Sequence, residues 1–185
     1  MAAGSVTLGP QNGTITVRTY REGMAKRVGH DLALEVTNWS ATAAINRDDP
    51  ASSDVKATLD LRSLEVREAT GGVKPLSNGD RKDISKNLEK TLNLSSYPEV
   101  TFASHSIDAD GGHRLRLNGN LTLSGATRPV SVDLNLEQQD GGERLTGTVT
   151  VTHSDFGVKP YSGFMGTLKI KDAVEIDFDV KLPQG

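Results

Sequence analysis

The 185-residue chain contains no cysteine. That excludes a disulfide framework, a thiolate nucleophile and any thiolate metal site. It also lacks a basic stripe: 21 Lys and Arg against 24 Asp and Glu leave a net charge of −3, spread evenly along the sequence. Nucleic acids and anionic membrane surfaces attract clustered cations, so neither is an expected partner. No apolar run approaches the length of a bilayer crossing. The opening "MAAGSVTLGPQNG" (1–13) has neither a basic n-region nor an apolar h-region. These absences lead to the expectation of a cytoplasmic protein without stable membrane insertion. Repeats, low-complexity tracts and linkers are missing too, so residues 1–185 read as a single domain.

What is present is alternation. Ile15 and Val17 face away from Thr14, Thr16 and Arg18, and Leu32, Leu34 and Val36 oppose Ala33, Glu35 and Thr37. The same period of two runs through Val55, Ala57, Leu59 and Leu61, returns at Val100 and Phe102, and governs Leu115 to Leu123 and Val130 to Leu136. It closes the chain with Leu145, Val149 and Val151, then Val174, Ile176, Phe178, Val180 and Leu182. One apolar and one wet face per strand is the pattern of antiparallel strands around one interior. The connections "DADGG" (108–112), "QDGG" (139–142) and "SGATRP" (124–129) carry hairpin chemistry. One segment departs: Ile84, Leu88 and Leu92 recur every four residues, predicting a helix over about 80–92, with Asp80 as cap and "YPEV" as stop. Alternation alone leaves barrel and sandwich both open.

Several chemical temptations dissolve on geometry. His30 and Asp31 are neighbours on a strand, so their side chains point to opposite faces and cannot form a dyad. "HSD" (153–155) fails as a triad for the same reason. His105, Asp108, Asp110 and His113 offer metal-ligand types, yet "HSIDADGGH" (105–113) reads as a hairpin tip. "GGVKPLSNG" (71–79) completes no phosphate motif and reads as a loop. Four N-x-S/T sequons, at Asn12, Asn38, Asn93 and Asn120, carry no weight in a chain read as cytoplasmic.

"LNLSSYPEVTFAS" (92–104), "LRLNGNLTLSGATRPVSVDL" (115–134), "SDFGVKP" (154–160) and "VEIDFDVKL" (174–182), in this order, resemble the YceI-like family of lipocalin-like polyisoprenoid-binding proteins. The resemblance runs from about Gly13 to Leu182. It implies an all-β fold: a closed antiparallel lipocalin-like barrel of about eight strands with one α-helix. It also implies a non-catalytic role in binding, carrying or storing an isoprenoid or similar long-chain lipid, with no cofactor beyond such a lipid or a quinone. Many family members are exported, a point on which this chain departs. Strand register then selects a lining of Leu34, Val36, Leu59, Phe102, Leu117, Val132, Leu134, Val149, Ile176 and Phe178. Phe156, Tyr161, Phe164 and Met165 follow, in a Gly-rich segment expected to form a flexible lip. Two rival readings stand beside this one: a solid barrel acting as an interaction module, and an enzyme using His30, His105 or His153. The sequence leaves a homodimer open.

Overall fold

The computed structural model describes residues 4–46 and 48–184, the side chain of Phe164 excepted. Alternation becomes strands in chain order: β1 (Gly4–Leu8), β2 (Gly13–Thr19), β3 (Arg21–Glu22), β4 (Asp31–Val36), β5 (Trp39–Ile45), β6 (Asp54–Asp60) and β7 (Leu64–Thr70). After the helix α1 (Asn78–Leu92) come β8 (Glu99–Ala109), β9 (Arg114–Leu123), β10 (Ala126–Gln139) and β11 (Gly142–Thr152). The chain finishes with β12 (Ser162–Gly163), β13 (Leu168–Ile170) and β14 (Ala173–Pro183). Eleven of these form one antiparallel sheet in the order β1-β5-β6-β8-β9-β10-β11-β14-β2-β4-β7, and β12, β13 and β3 form a small second sheet.

The expectation of about eight strands needs correction to eleven in the main sheet. The reason is physical: three long extended segments each bend once. Pro10–Asn12 is a 3-10 turn separating β1 from β2, Thr37 and Asn38 separate β4 from β5, and Leu61–Ser63 separates β6 from β7. Proline at the first turn residue starts the first bend without losing a ladder bond. The chain leaves that bend at Gly13, where a Cβ would stand 2.0 Å from the Asp179 carbonyl oxygen; only glycine lets β2 join β14 there. The second and third bends lie opposite each other. Thr37 N–H and its hydroxyl both donate to the Ser63 carbonyl, and Asn38 N–H donates to Ser63 Oγ.

The helix begins two residues earlier than its apolar spacing suggests, and Asp80 is not its cap. Ser77 is the cap: its hydroxyl accepts from Asp80 N–H, while the Asp80 carboxylate accepts from Ser77 N–H at 2.8 Å. The two form a reciprocal capping box, with Asp80 as its third helical residue. The stop is Asn93 in the left-handed region (φ 51°) rather than the proline at 98. Only Leu92 is buried along α1, with Ile84 and Leu88 partly so; most of the helix faces solvent.

The outer face of the sheet is tied by cross-strand ion pairs. Arg144 grips Asp179 in a two-pronged contact at 2.6 and 2.8 Å, Arg116 holds Asp133 at 2.7 and 3.0 Å, and Arg67 reaches Glu35 at 2.6 Å. The inner face is apolar. Its buried residues gather in three clusters that share partly buried neighbours: Leu59 and Ile176 touch the first and second, Phe178 the second and third.

Candidate functional site

Every one of the ten lining residues selected from the sequence lies on the inner face of the main sheet. Leu34 and Val36 are the most deeply buried, at 1 % exposure each, and Leu117 and Val132 are also buried. Leu59, Phe102, Leu134, Val149, Ile176 and Phe178 keep part of their surface open. The pattern along β14 is informative. Val174, Val180 and Leu182 are buried at the strand's two ends, while Ile176 and Phe178 between them, on the same face, are not.

This partly open band continues sideways through the register and closes at the buried Leu34. Val149 sits opposite Ile176, Ile176 opposite Val17, and Val17 opposite Leu34; Leu134 sits opposite Gly147 and Gly147 opposite Phe178. Two inward glycines keep the wall thin. A Cβ on Gly119 would stand 2.7 Å from the Phe102 ring, and one on Gly147 would stand 2.8 Å from Leu134 Cδ2. Both side chains therefore lie down against glycine instead of standing into the interior. A face that is apolar, inward and incompletely covered along the middle of its strands is surface an apolar chain can occupy.

Sequence reasoning missed Trp39 here. It is 5 % exposed, packs with Leu8, Ile15, Val36, Val180 and Leu182, and its indole Nε1–H has no hydrogen-bond partner among the described residues. Thr19 Oγ1 shares that condition. In "WSATAAI" the inward companions of Trp39 include alanines, which carry too little apolar contrast to mark a strand.

The second group divides. Phe156 is buried, in a 3-10 turn (His153–Phe156), and packs with Leu92, Leu94, Val158 and Val174 beneath the end of α1. Tyr161 lines an open cleft of about 580 Å³ between α1 and the 156–162 segment, together with Asn87, Lys90, Tyr97 and Lys159. Met165 is fully exposed and turned to solvent. The Phe164 side chain lies outside what the structure describes. A smaller cleft of about 390 Å³ flanks the helix on its other side, lined by Leu61, Leu64, Leu88, Leu94 and Pro98.

The histidines and their neighbours are engaged separately. His30 Nε2 lies 2.7 Å from the Lys74 carbonyl oxygen, whereas the Asp31 carboxylate accepts from Arg21 N–H at 2.9 Å. His153 Nδ1 meets the Asp172 backbone carbonyl at 2.8 Å. The Asp172 carboxylate accepts from the hydroxyl and N–H of Ser154, which hold its pKa below the usual carboxylate range. Ser154 is thus bonded directly to a carboxylate, with no imidazole between them. In the 105–113 stretch, Asp110 accepts from Gly112 N–H at 2.9 Å and Arg114 N–H at 3.3 Å, and this turn work lowers its pKa. His105 stands at a bulge, where the β8–β9 register slips between Ser104 and Ser106. Among the described residues no group of three or more carboxylates and imidazoles is arranged to hold a metal, and no helix is long and apolar enough to cross a membrane.

Comparison with known proteins adds the following. A model of the YceI-like domain matches residues 7–182. A UPF0312 protein of Shewanella sp. strain W3-18-1 is 40% identical over 152 residues, covering 79% of this chain and 71% of that one. A UPF0312 protein of Pseudomonas aeruginosa strain LESB58 is 30% identical over 147 residues, covering 76% and 71%. Among solved structures, Burkholderia cenocepacia BcnA superposes with a TM-score of 0.66 at 19% identity, over 90% of this chain and 94% of that one. A YceI protein of Campylobacter jejuni gives a TM-score of 0.55 at 15% identity, over 78% and 81%. At such identities the structural likeness is one of fold.

Proposed function

The chain belongs to the YceI-like family, and from that premise we propose that it is a non-catalytic carrier that holds an isoprenoid or similar long-chain lipid against the inner face of its sheet. The observation that supports this most is the uncovered middle of that face: Ile176 and Phe178 stay partly open between buried ends of one strand. A core filled by its own side chains would bury them.

We propose further that the sheet closes on itself. Counting each bent segment as one continuous strand gives eight: β1 runs into β2, β4 into β5 and β6 into β7. In that count β14 pairs with β2, the β1/β2 segment with β4/β5, that with β6/β7, and β6 with β8, which leads through β9, β10 and β11 back to β14. Closure gives a prenyl chain an interior shielded from water on all sides. Each buried CH₂ contributes about 0.8 kcal/mol, so chain length rather than headgroup sets affinity in this reading.

Organic extraction of the purified full chain, followed by mass spectrometry, tests the reading. A chain lipid present in stoichiometric amount is expected. Ile176→Phe should then reduce the bound lipid while the fold persists, because open volume absorbs the larger side chain. If no lipid is extracted and Ile176→Phe instead costs about 1–3 kcal/mol of stability through overpacking, the interior is solid and the carrier reading fails.

A further inference from the structure

Among the described residues, five large hydrophobic side chains are exposed, and four of them, Met24, Val28, Val73 and Met165, belong to three loops that meet at one place. Ala25 N–H donates to the Thr167 carbonyl at 2.8 Å, which sets the 23–28 loop beside the 164–167 loop. The His30 contact with the Lys74 carbonyl, at 2.7 Å, brings the 71–75 loop against the same strand end. Met24 and Met165, at 93 % and 104 % exposure, are the tips of adjacent loops. Gly166 (φ 87°) and Met165 itself (φ 56°) turn the second tip outward.

The loops that carry them hold charge of one sign. Residues 23–30, 71–75 and 159–171 contain Lys26, Arg27, Lys74, Lys159, Lys169 and Lys171 and no Asp or Glu, in a chain of net charge −3. The carboxylates at the margin are Asp31, bonded to Arg21, Asp80, bonded to Ser77, Asp172, bonded to Ser154, and Glu22, in register opposite Lys169. Of these cations, Lys26, Arg27, Lys74 and Lys169 are scattered in sequence and are brought together only by the fold, which is why the linear charge pattern gave no sign of them.

We propose that this apron docks reversibly on an anionic lipid surface, Met24 and Met165 seating in the headgroup layer while Lys26, Arg27 and Lys74 face the lipid charges. Apolar tips ringed by cations suit an interface that is apolar below and negative at its surface. A protein partner would have to supply both an acidic rim and an apolar pocket for two separate methionines. The inference stands apart from the carrier reading, since docking does not require a lipid inside the sheet.

Co-sedimentation of the full chain with vesicles tests it, comparing phosphatidylcholine alone with phosphatidylcholine mixed with phosphatidylglycerol. Binding is expected only to the mixed vesicles, and it should fall about tenfold or more as salt rises, because the Debye length shrinks from roughly 30 Å at 0.01 M to roughly 8 Å at 0.15 M. Met24→Ser with Met165→Ser, and separately Lys26→Glu with Arg27→Glu, should each lower it about tenfold or more, while Lys181→Glu on β14 leaves it unchanged. Thermal melts matching the parent show that the variants fold. No binding, binding indifferent to phosphatidylglycerol, or binding unaffected by both double variants overturns the proposal. So does self-association abolished by the methionine variant, which would make the apron an interface between copies. Lipid extraction from the same variants separates this outcome from failure of the carrier reading: an apron variant that keeps its lipid yet loses vesicles touches docking alone.

Discussion

At one end of the long strands the chain turns back on itself by hairpin chemistry. Asp110 closes the β8–β9 turn, and Gly141 and Gly142, both at positive φ, carry β10 into β11. At the other end one tight turn, Ser124–Gly125, joins β9 to β10, and the remaining strands run out into a helix, several 3-10 turns, the small β12–β13–β3 sheet and a cleft on each side of α1. The first end is set by backbone bonds between near neighbours. The second rests on a few anchors, Leu92, Leu94, Phe156 and Val158, beneath a helix that is mostly exposed. Local closure leaves nothing to open. Closure by sparse anchors leaves the end with the fewest contacts to hold it, and in the carrier reading proposed above that is the end at which a lipid would enter.

The largest test of that contrast is Phe156→Ala. Removing a 4 % exposed ring from the anchor cluster should cost about 3–5 kcal/mol, read from urea unfolding. A loss below about 1 kcal/mol would mean that the helix end does not hang on its anchors. Next comes Gly142→Ala at the hairpin end. With φ 148° and a Cβ position 2.1 Å from the Leu182 carbonyl oxygen, alanine forces the backbone to shift, for roughly 1–3 kcal/mol. An unchanged melting temperature would show that this turn is slacker than its geometry.

Ser77→Ala removes the cap of α1 and should cost the helix about 1 kcal/mol. Hydrogen exchange should quicken along 78–92 and stay unchanged in β9 and β10. Equal acceleration in both would erase the distinction between the ends. The smallest effect concerns acid. Arg144 and Arg116 bond the Asp179 and Asp133 carboxylates and hold their pKa values below the usual range. Carboxylates depressed in the folded state stabilise it above the ordinary value near 3.9, and that contribution is lost as pH falls through the lowered values. Stability should therefore decline below about pH 4, and Arg144→Gln should make the decline shallower. A slope unchanged by Arg144→Gln would remove this pair from the account.

Legibility followed side-chain contrast. β9, β10 and β14 carry Leu, Val, Ile and Phe against Asn, Asp and Glu, so their faces could be read directly, and Leu117, Val132, Leu134, Ile176 and Phe178 point inward as that alternation predicts. β1 and β5 could not be read this way, because small residues blur both faces. The bends at Thr37 and Asn38 and at Leu61–Ser63 were hidden because each interrupts an extended run with little change of composition, whereas the first bend carries its own turn residues in Pro10, Asn12 and Gly13. The bulge at His105 moves the inward phase from Ser104 to Ile107, a one-residue slip that only pairing reveals. The cationic apron was invisible for a different cause: its members come from three loops far apart in the chain, and proximity in space is a product of the fold.

Trp39 gives the molecule an optical probe of its own. It is the single tryptophan, enclosed beside Val36 and Ile15 with its N–H unbonded among the described residues. An indole so placed fluoresces at short wavelength. In the proposed carrier, an apolar chain bound against it should change the brightness and leave the colour, whereas an occupant carrying an oxygen that accepts from Nε1 should draw the emission to the red. Titration of the unlabelled protein thus distinguishes a plain hydrocarbon from an oxygenated one by spectrum alone.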